Sequence, residues 1–301
     1  MKAFRVIVWY VLAVLVTSAV VAPFIYNWSQ ANLIGLDLFS WLERQPFPRY
    51  FRRTVMVTAL VFLPFFLRKL GVRKWTEIGL SAEVEKTPRF VWGIILGGLC
   101  IFILDAINLS VGARQFRPEV DSDLLYKFVL VSILIAGLEE TFFRGVVLGQ
   151  LRKHFGFWTA LTLSSLFFSA LHFVGNNPPP DTGVVDVDWT TGFVMILYSF
   201  EVFVVWDKLL FSFTALFLAG LILGYSYLKK GSLYFCIGVH AGWVFMLKTT
   251  GLLTDNTPVQ NARPWLYGWG LYDGLIGIVI LLVFWAGLAL YENRRGNQNR
   301  F

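Results

Sequence analysis

The chain has 301 residues, 56% of them hydrophobic and only 15% charged, and its mean hydropathy is +0.63. Soluble domains carry about 25% charged residues, so this composition excludes a water-soluble globular protein and points to a polytopic membrane protein. The formal net charge of +7 is not a nucleic-acid footprint, because the basic residues gather at the ends of apolar segments, where they set orientation and meet anionic lipid.

The fold class this predicts is all-α, a polytopic bundle of about eight transmembrane helices. Met1-Lys2-Ala3-Phe4-Arg5 opens the chain and an apolar run continues to Tyr26. That run is too long for a signal peptide and lacks a small-x-small cleavage site, so it reads as a retained first span. Seven more apolar segments follow, giving spans at 6–26, 54–69, 90–110, 126–150, 157–174, 209–228, 233–249 and 270–291. Each is near the ~20 residues that cross a ~30 Å hydrocarbon core. Aromatic residues reach 17%, which suits belts at the two interfaces. No repeat and no soluble linker interrupts the pattern, so residues 1–301 read as one transmembrane domain.

Counting Lys and Arg in the connections, with the N-terminus inside, places fifteen on the inner side. They are Lys2, Arg5, Arg68, Lys69, Arg73, Lys74, Lys86, Arg89, Arg152, Lys153, Lys229, Lys230, Arg294, Arg295 and Arg300. The outer side holds nine: Arg44, Arg49, Arg52, Arg53, Arg114, Arg117, Lys208, Lys248 and Arg263. The bias predicts both termini in the cytoplasm, and the setting expected is a bacterial-type plasma membrane.

One segment departs from the pattern. Residues 175–208 start with Asn176-Asn177-Pro178-Pro179-Pro180-Asp181, carry Asp186 and Asp188, then turn apolar from Phe193 to Trp206 around Glu201. A ninth span there would put Lys229 and Lys230 outside. The expected structure is instead an outer loop followed by an interfacial or re-entrant helix.

Ionisable groups at membrane depth are costly and mark functional sites by default. The fourth span holds two adjacent acids in Leu138-Glu139-Glu140-Thr141-Phe142-Phe143-Arg144-Gly145. Glu140 and Arg144 are spaced i, i+4 and can form an ion pair. Glu139 points about 100° away around the helix, which leaves it as the carboxylate able to act as a base, desolvation raising its basicity toward water. On its own such a short motif is more often a structural polar cluster. The fifth span places Phe168 and His172 on one face, and the seventh places His240 among Gly238, Ala241 and Gly242, small residues that let helices approach. Gly220 and Gly224 in the sixth span carry the same packing signature. His154, in the Lys153-His154-Phe155-Gly156 connection, reads as a solvated loop residue. Cys100 and Cys236 read as small buried apolar side chains, with neither disulfide nor zinc-ribbon spacing.

Glu139-Glu140-x-x-x-Arg144 with Gly145, Phe168-x-x-x-His172, and His240-Ala241 occur in that order across about residues 125–250. In this the chain resembles the CAAX-protease and bacteriocin-processing family of intramembrane proteases, also called abortive-infection proteins. It departs from the family at Val244, where the histidine of the third motif is commonly followed four residues on by Asn or Asp. Valine can neither donate a hydrogen bond nor bind a metal, so whatever that side chain does in the family is missing here.

The resemblance implies a catalytic core over 125–250 and hydrolysis of a peptide bond in a membrane-associated or lipidated protein or peptide. Glu139 and His172 would activate the water, Glu140 paired to Arg144 would fix the helix, Phe168 would wall the pocket, and His240 would stabilise the oxyanion or hold the water. No cofactor is firmly expected. Zinc is the one candidate, since Glu139, Glu140, His172 and His240 offer a two-histidine-plus-carboxylate set. The family has been described both as metal-dependent and as glutamate-dependent. Without His-Glu-x-x-His spacing the sequence gives no independent sign of zinc, and the reading leans to the metal-free glutamate route with the choice left open. The competing readings are a catalytically weakened or inactive scaffold or immunity protein on the same fold, which Val244 favours, and a proton-coupled transporter, which the lack of inverted repeats disfavours.

Overall fold

Inside lipid a backbone has no hydrogen-bond partner but itself, so uncharged apolar runs become helices. The computed structural model describes residues 2–32, 45–80, 86–120, 124–174, 187–200, 204, 209–268 and 273–298, and it is an all-α polytopic bundle. The helices are α1 (Lys2–Asn32), α2 (Phe47–Lys69), α3 (Lys86–Ser110), α4 (Leu124–Glu140), α5 (Phe157–Leu171), α6 (Thr191–Tyr198), α7 (Thr214–Lys230), α8 (Leu233–Leu253), α9 (Pro258–Ala262), α10 (Pro264–Tyr267) and α11 (Leu275–Gln298). A π-helical stretch, Thr141–Leu148, continues α4 and returns to α geometry over Gly149–Arg152. A second, Leu209–Phe213, leads into α7.

Six helices among the described residues are long and apolar enough to cross a bilayer: Phe4–Asn32, Phe47–Lys69, Thr87–Ser110, Leu210–Lys230, Leu233–Leu253 and Leu275–Glu292. Eight spans were expected. The remaining two segments are helical but differ from simple spans: 126–150 changes from α to π geometry midway, and α5 stops after 15 residues. At ~1.5 Å per residue α5 is about 22 Å long, short of the hydrocarbon thickness. The second span starts at Phe47 rather than 54, because prolines at the first turn fit helix geometry. Arg49, Arg52 and Arg53, expected in a connection, therefore ride on α2.

The chain divides into two compact units, Met1–Arg73 with Ala170–Trp206, and Lys74–Ser169 with Asp207–Phe301. In the first, α1 packs on α2 and α6 around Ala19, Ala22, Phe47, Phe51 and Met195. The Tyr10 hydroxyl donates to the Ala59 carbonyl at 2.7 Å and its ring stacks on Phe66. Asp188 starts α6: its Oδ1 accepts the backbone N–H groups of Thr190 and Thr191 and both threonine hydroxyls. With eight residues α6 is about 12 Å long and cannot be a ninth span. The front of the expected outer loop, 175–186, lies outside the described residues, as do 201–203 and 205–208.

The second unit is organised by glycines. Gly93 and Gly97 of α3 lie against the backbone of Phe235 and Val239 on α8, and Gly238 and Gly242 of α8 lie against Phe90 and Ile94 on α3. A Cβ at any of the four would meet a main-chain carbonyl oxygen, so α3 and α8 touch backbone to backbone. Gly220 and Gly224 of α7 make room for α5, where an added Cβ would meet Ser165 and the side chain of Leu161. Gly231, in the left-handed region at φ 64°, ends α7 and turns the chain straight into α8. Beyond α3 and α8 lies a two-stranded ribbon, β1 (Arg114–Phe116) with β2 (Thr254–Asn256), in the connections that carry Arg114 and Arg117. Arg114 donates to Thr254 and Asn256, and Arg117 pairs with Asp255 at 2.8 Å. Both cysteines are buried thiols, and His154 is exposed in its turn.

Gly97→Ala and Gly238→Ala should each destabilise the protein by about 1–3 kcal/mol, the usual cost of overpacking. Gly287→Ala, where a Cβ would meet nothing within 4 Å, should leave the melting temperature in detergent unchanged or slightly raised.

Candidate active site

Glu140 ends the α-helical part of α4 and its side chain is wholly buried. A lone carboxylate there would have to give up its charge or find a partner. It has two. Arg144 Nη1 donates to Glu140 Oε1 at 2.9 Å, and His240 Nδ1 lies 2.7 Å from the same oxygen. Arg144 is itself 1% exposed, so the ion pair is shut away from solvent. The spacing predicted this pair on an α-helical period. It forms although the chain between the two residues passes into the wider π turn, a geometry frequent at functional sites.

The guanidinium of Arg144 is also stacked over the ring of Phe168, 4.2 Å from its centroid. Phe168 is buried and presents its edge to His240, with centroids 6.3 Å apart and planes at 78°, and to Phe143 at 4.9 Å. A cation over an aromatic face in a dry site is a favourable contact of about 2 kcal/mol. Phe168 therefore gives Arg144 a second partner besides Glu140. No sequence signal announced that role, since the Phe168 motif pointed to His172.

Glu139 lies on the neighbouring face of α4 with a quarter of its side chain exposed. Its Oε2 stands 3.9 Å from His240 Nε2. One imidazole thus faces both acids, Nδ1 toward Glu140 and Nε2 toward Glu139. The hydrogen-bond contact between Nδ1 and Glu140 Oε1 fixes the ring and leaves Nε2 aimed at Glu139. His240 reaches this position because Gly238 and Gly242, on the opposite face of α8, seat the helix on α3. The small residues thus work one helix away from the imidazole, which meets α4 instead.

His172 follows Leu171 in the turn that closes α5, half-buried, and falls in the first compact unit. Val244 sits one turn beyond His240 on α8, also half-buried. For zinc the donor chemistry does not fit. Glu140 Oε1 is engaged by both Arg144 Nη1 and His240 Nδ1, and no group of three or more His, Cys, Asp or Glu side chains among the described residues is arranged to hold an ion. The mechanism below is therefore built on the side chains alone.

A second buried polar cluster lies in the same unit. The Thr250 hydroxyl on α8 donates to Asp105 Oδ2 on α3, and Asn108 is fully buried one turn further on. Asp105 inside an apolar run is the same kind of signal as Glu139-Glu140, but no motif accompanies it and nothing in the sequence marks it for chemistry.

Residues 121–246 match the family described as Type II CAAX prenyl endopeptidase Rce1-like. The match covers α4, the π segment, α5, α6, α7 and the first part of α8, and with them every residue of the three motifs. It agrees with the CAAX-protease and bacteriocin-processing resemblance over that segment, and the apolar helices make the chain an integral membrane protein. No curated protein and no solved structure matches the chain.

Arg144→Gln should leave Glu140 buried without its cation and cost about 3–5 kcal/mol, as breaking a buried pair does. The expected result is a sharply lowered melting temperature in detergent; a melting curve like that of the wild type would show that the pair contributes nothing.

Proposed function

We propose that the chain is an intramembrane endopeptidase acting on a membrane-associated or lipidated protein or peptide. The observation that carries this reading is the pairing of two adjacent acids in opposite states, Glu140 buried and engaged by Arg144 and His240, Glu139 a quarter exposed beside His240 Nε2. The difference in burial assigns Glu140 to holding the imidazole and Glu139 to moving the proton. The family match over 121–246 supplies the reaction class.

In this mechanism Glu139 takes a proton from water, which attacks the scissile carbonyl carbon. The carbonyl oxygen gains the negative charge, and His240, held by Glu140 through Nδ1, presents Nε2–H to it when protonated. Glu139 then returns the proton to the leaving amine as the C–N bond breaks. Glu140 and Arg144 hold the imidazole at the correct angle and keep the local charge balanced. Phe168 packs between Arg144 and His240 and excludes water. His172 shares the activation of water with Glu139; its support is its place in the Phe168-x-x-x-His172 motif. We place both termini in the cytoplasm of a bacterial-type plasma membrane on the Lys and Arg bias.

Val244 supports a second reading, a scaffold or immunity protein in which the same fold has lost turnover. Losing one oxyanion donor costs about 10²–10³ in rate. Introducing Val244→Asn should raise cleavage if that donor is what the chain lacks.

The deciding assay is cleavage of a prenylated peptide reporter by the purified protein in lipid nanodiscs. Wild type should cleave, and Glu139→Gln should lose activity by about 10³-fold, within the 10²–10⁴ typical of general acid–base groups, with an unchanged melting temperature. A fully active Glu139→Gln would contradict the mechanism. Incubation with a strong zinc chelator should leave the rate unchanged; loss of activity restored by zinc would replace the metal-free route.

A further inference from the structure

A third acid of the second unit is buried away from the candidate active site. Asp105 lies on α3, five residues before its end, and is 6% exposed. Its Oδ2 accepts the Thr250 hydroxyl of α8, and its Oδ1 has no hydrogen-bond partner. Asn108 follows three residues on, along the same face of the helix. It has no exposed surface, and neither its Oδ1 nor its Nδ2 has a partner. Buried polar atoms are nearly always satisfied, and the exceptions point to a water or an ion.

No side-chain cation is in contact with Asp105. Arg114 feels its charge but spends its nitrogens elsewhere: Nε donates to the Thr254 hydroxyl, Nη1 to Asn256 Oδ1 and Nη2 to the Thr254 carbonyl. Those contacts close the end of α8, where an arginine meets the negative pole of a helix. Arg117 and Asp255 pair with each other. The helices α3 and α8 run the same way, since Gly93 lies against Phe235 near their starts and Asp105 meets Thr250 near their ends. Their C-terminal poles, roughly −0.5 charge each, therefore lie together. With Asp105 they outweigh the single charge of Arg114 and leave this end of the helix pair negative.

An ionised carboxylate in an apolar interior calls for a cation in contact. The donors available are oxygens, namely Asp105 Oδ1, Asn108 Oδ1 and the lone pairs of the Thr250 hydroxyl, a hard set that does not suit zinc. Residues spaced i, i+3 stand about 5–6 Å apart at Cβ, close enough for one ion to join both side chains. Calcium takes about six to eight oxygens with carboxylates among them, so a single acid favours a monovalent ion. We propose that Asp105 and Asn108, with the Thr250 hydroxyl, bind a sodium ion between the C-terminal ends of α3 and α8. Thr250 is ten residues beyond His240, about 15 Å along α8, so the site is separate from the proposed hydrolytic residues and stands whether or not the chain is a protease.

The test is scintillation-proximity binding of radioactive sodium to the detergent-purified full chain. Wild type should bind sodium saturably, and its melting temperature should be a few degrees higher in sodium chloride than in N-methylglucamine chloride of equal ionic strength. Asp105→Asn, which keeps an acceptor for Thr250, should weaken sodium binding at least about tenfold and abolish the difference in melting temperature. Asn108→Ala leaves the acid in place and should weaken binding severalfold; it carries the test should Asp105→Asn fail to fold. Absence of saturable sodium binding by wild type would overturn the proposal, as would undiminished binding in Asn108→Ala. Displacement of sodium by micromolar calcium would contradict a monovalent site. An infrared carbonyl stretch of a protonated acid that persists in saturating sodium and vanishes in Asp105→Asn would show that Asp105 is satisfied by a proton instead, and would also overturn it.

Discussion

A carboxylate with no exposed surface, placed midway along a helix in an apolar interior, sets the terms for everything around it. Glu140 is buried with Arg144 and His240 both at its Oε1, and Arg144 is buried against Glu140 and the face of Phe168. The three charged or polar groups and the aromatic ring form one closed set drawn from α4 with its π continuation, α5 and α8. Removing any member strands another in a medium that solvates neither. Such a set fixes the register of three helices more sharply than apolar packing does, because lipid competes for apolar contacts and offers nothing to a charge.

The same set separates two acids that are neighbours in the chain. Adjacent residues on a helix point about 100° apart, so one acid faces the bundle interior and the other its edge. The edge acid, Glu139, keeps partial exposure while lying within 3.9 Å of the imidazole that the interior acid holds. On the mechanism proposed, Glu140 gives up reactivity to hold His240, and Glu139 is left to handle water.

Much of this was legible in the sequence, and the reasons are specific. Charge inside apolar runs is rare enough that Glu139, Glu140, Arg144 and His240 stood out without any structure, and the i, i+4 spacing identified which acid pairs with the arginine. What the sequence could not carry was the third dimension of those partners. Nothing in a linear pattern says that His240 meets both acids, or that Phe168 receives Arg144. The π turn was equally hidden, since hydrophobic periodicity over eight residues does not separate it from an α-helix. Glycines announced close packing correctly but not the address: those flanking His240 seat α8 on α3, whereas the imidazole faces α4. The bounds of the second span differ for a physical reason, because prolines at its start let Arg49, Arg52 and Arg53 ride on the helix, and α5, at 15 residues, is shorter than a full crossing.

The division of labour between the acids is read most directly from the imidazole of His240. With only three histidines in the chain, nitrogen-15 NMR of ring-labelled protein in nanodiscs resolves each one, and a His240→Gln sample assigns its signals. The account predicts that His240 carries its proton on Nδ1, that this signal is displaced in Glu140→Gln, and that it is untouched in Glu139→Gln. A His240 ring protonated on Nε2 alone, or an Nδ1 signal that responds to Glu139 and ignores Glu140, would contradict it.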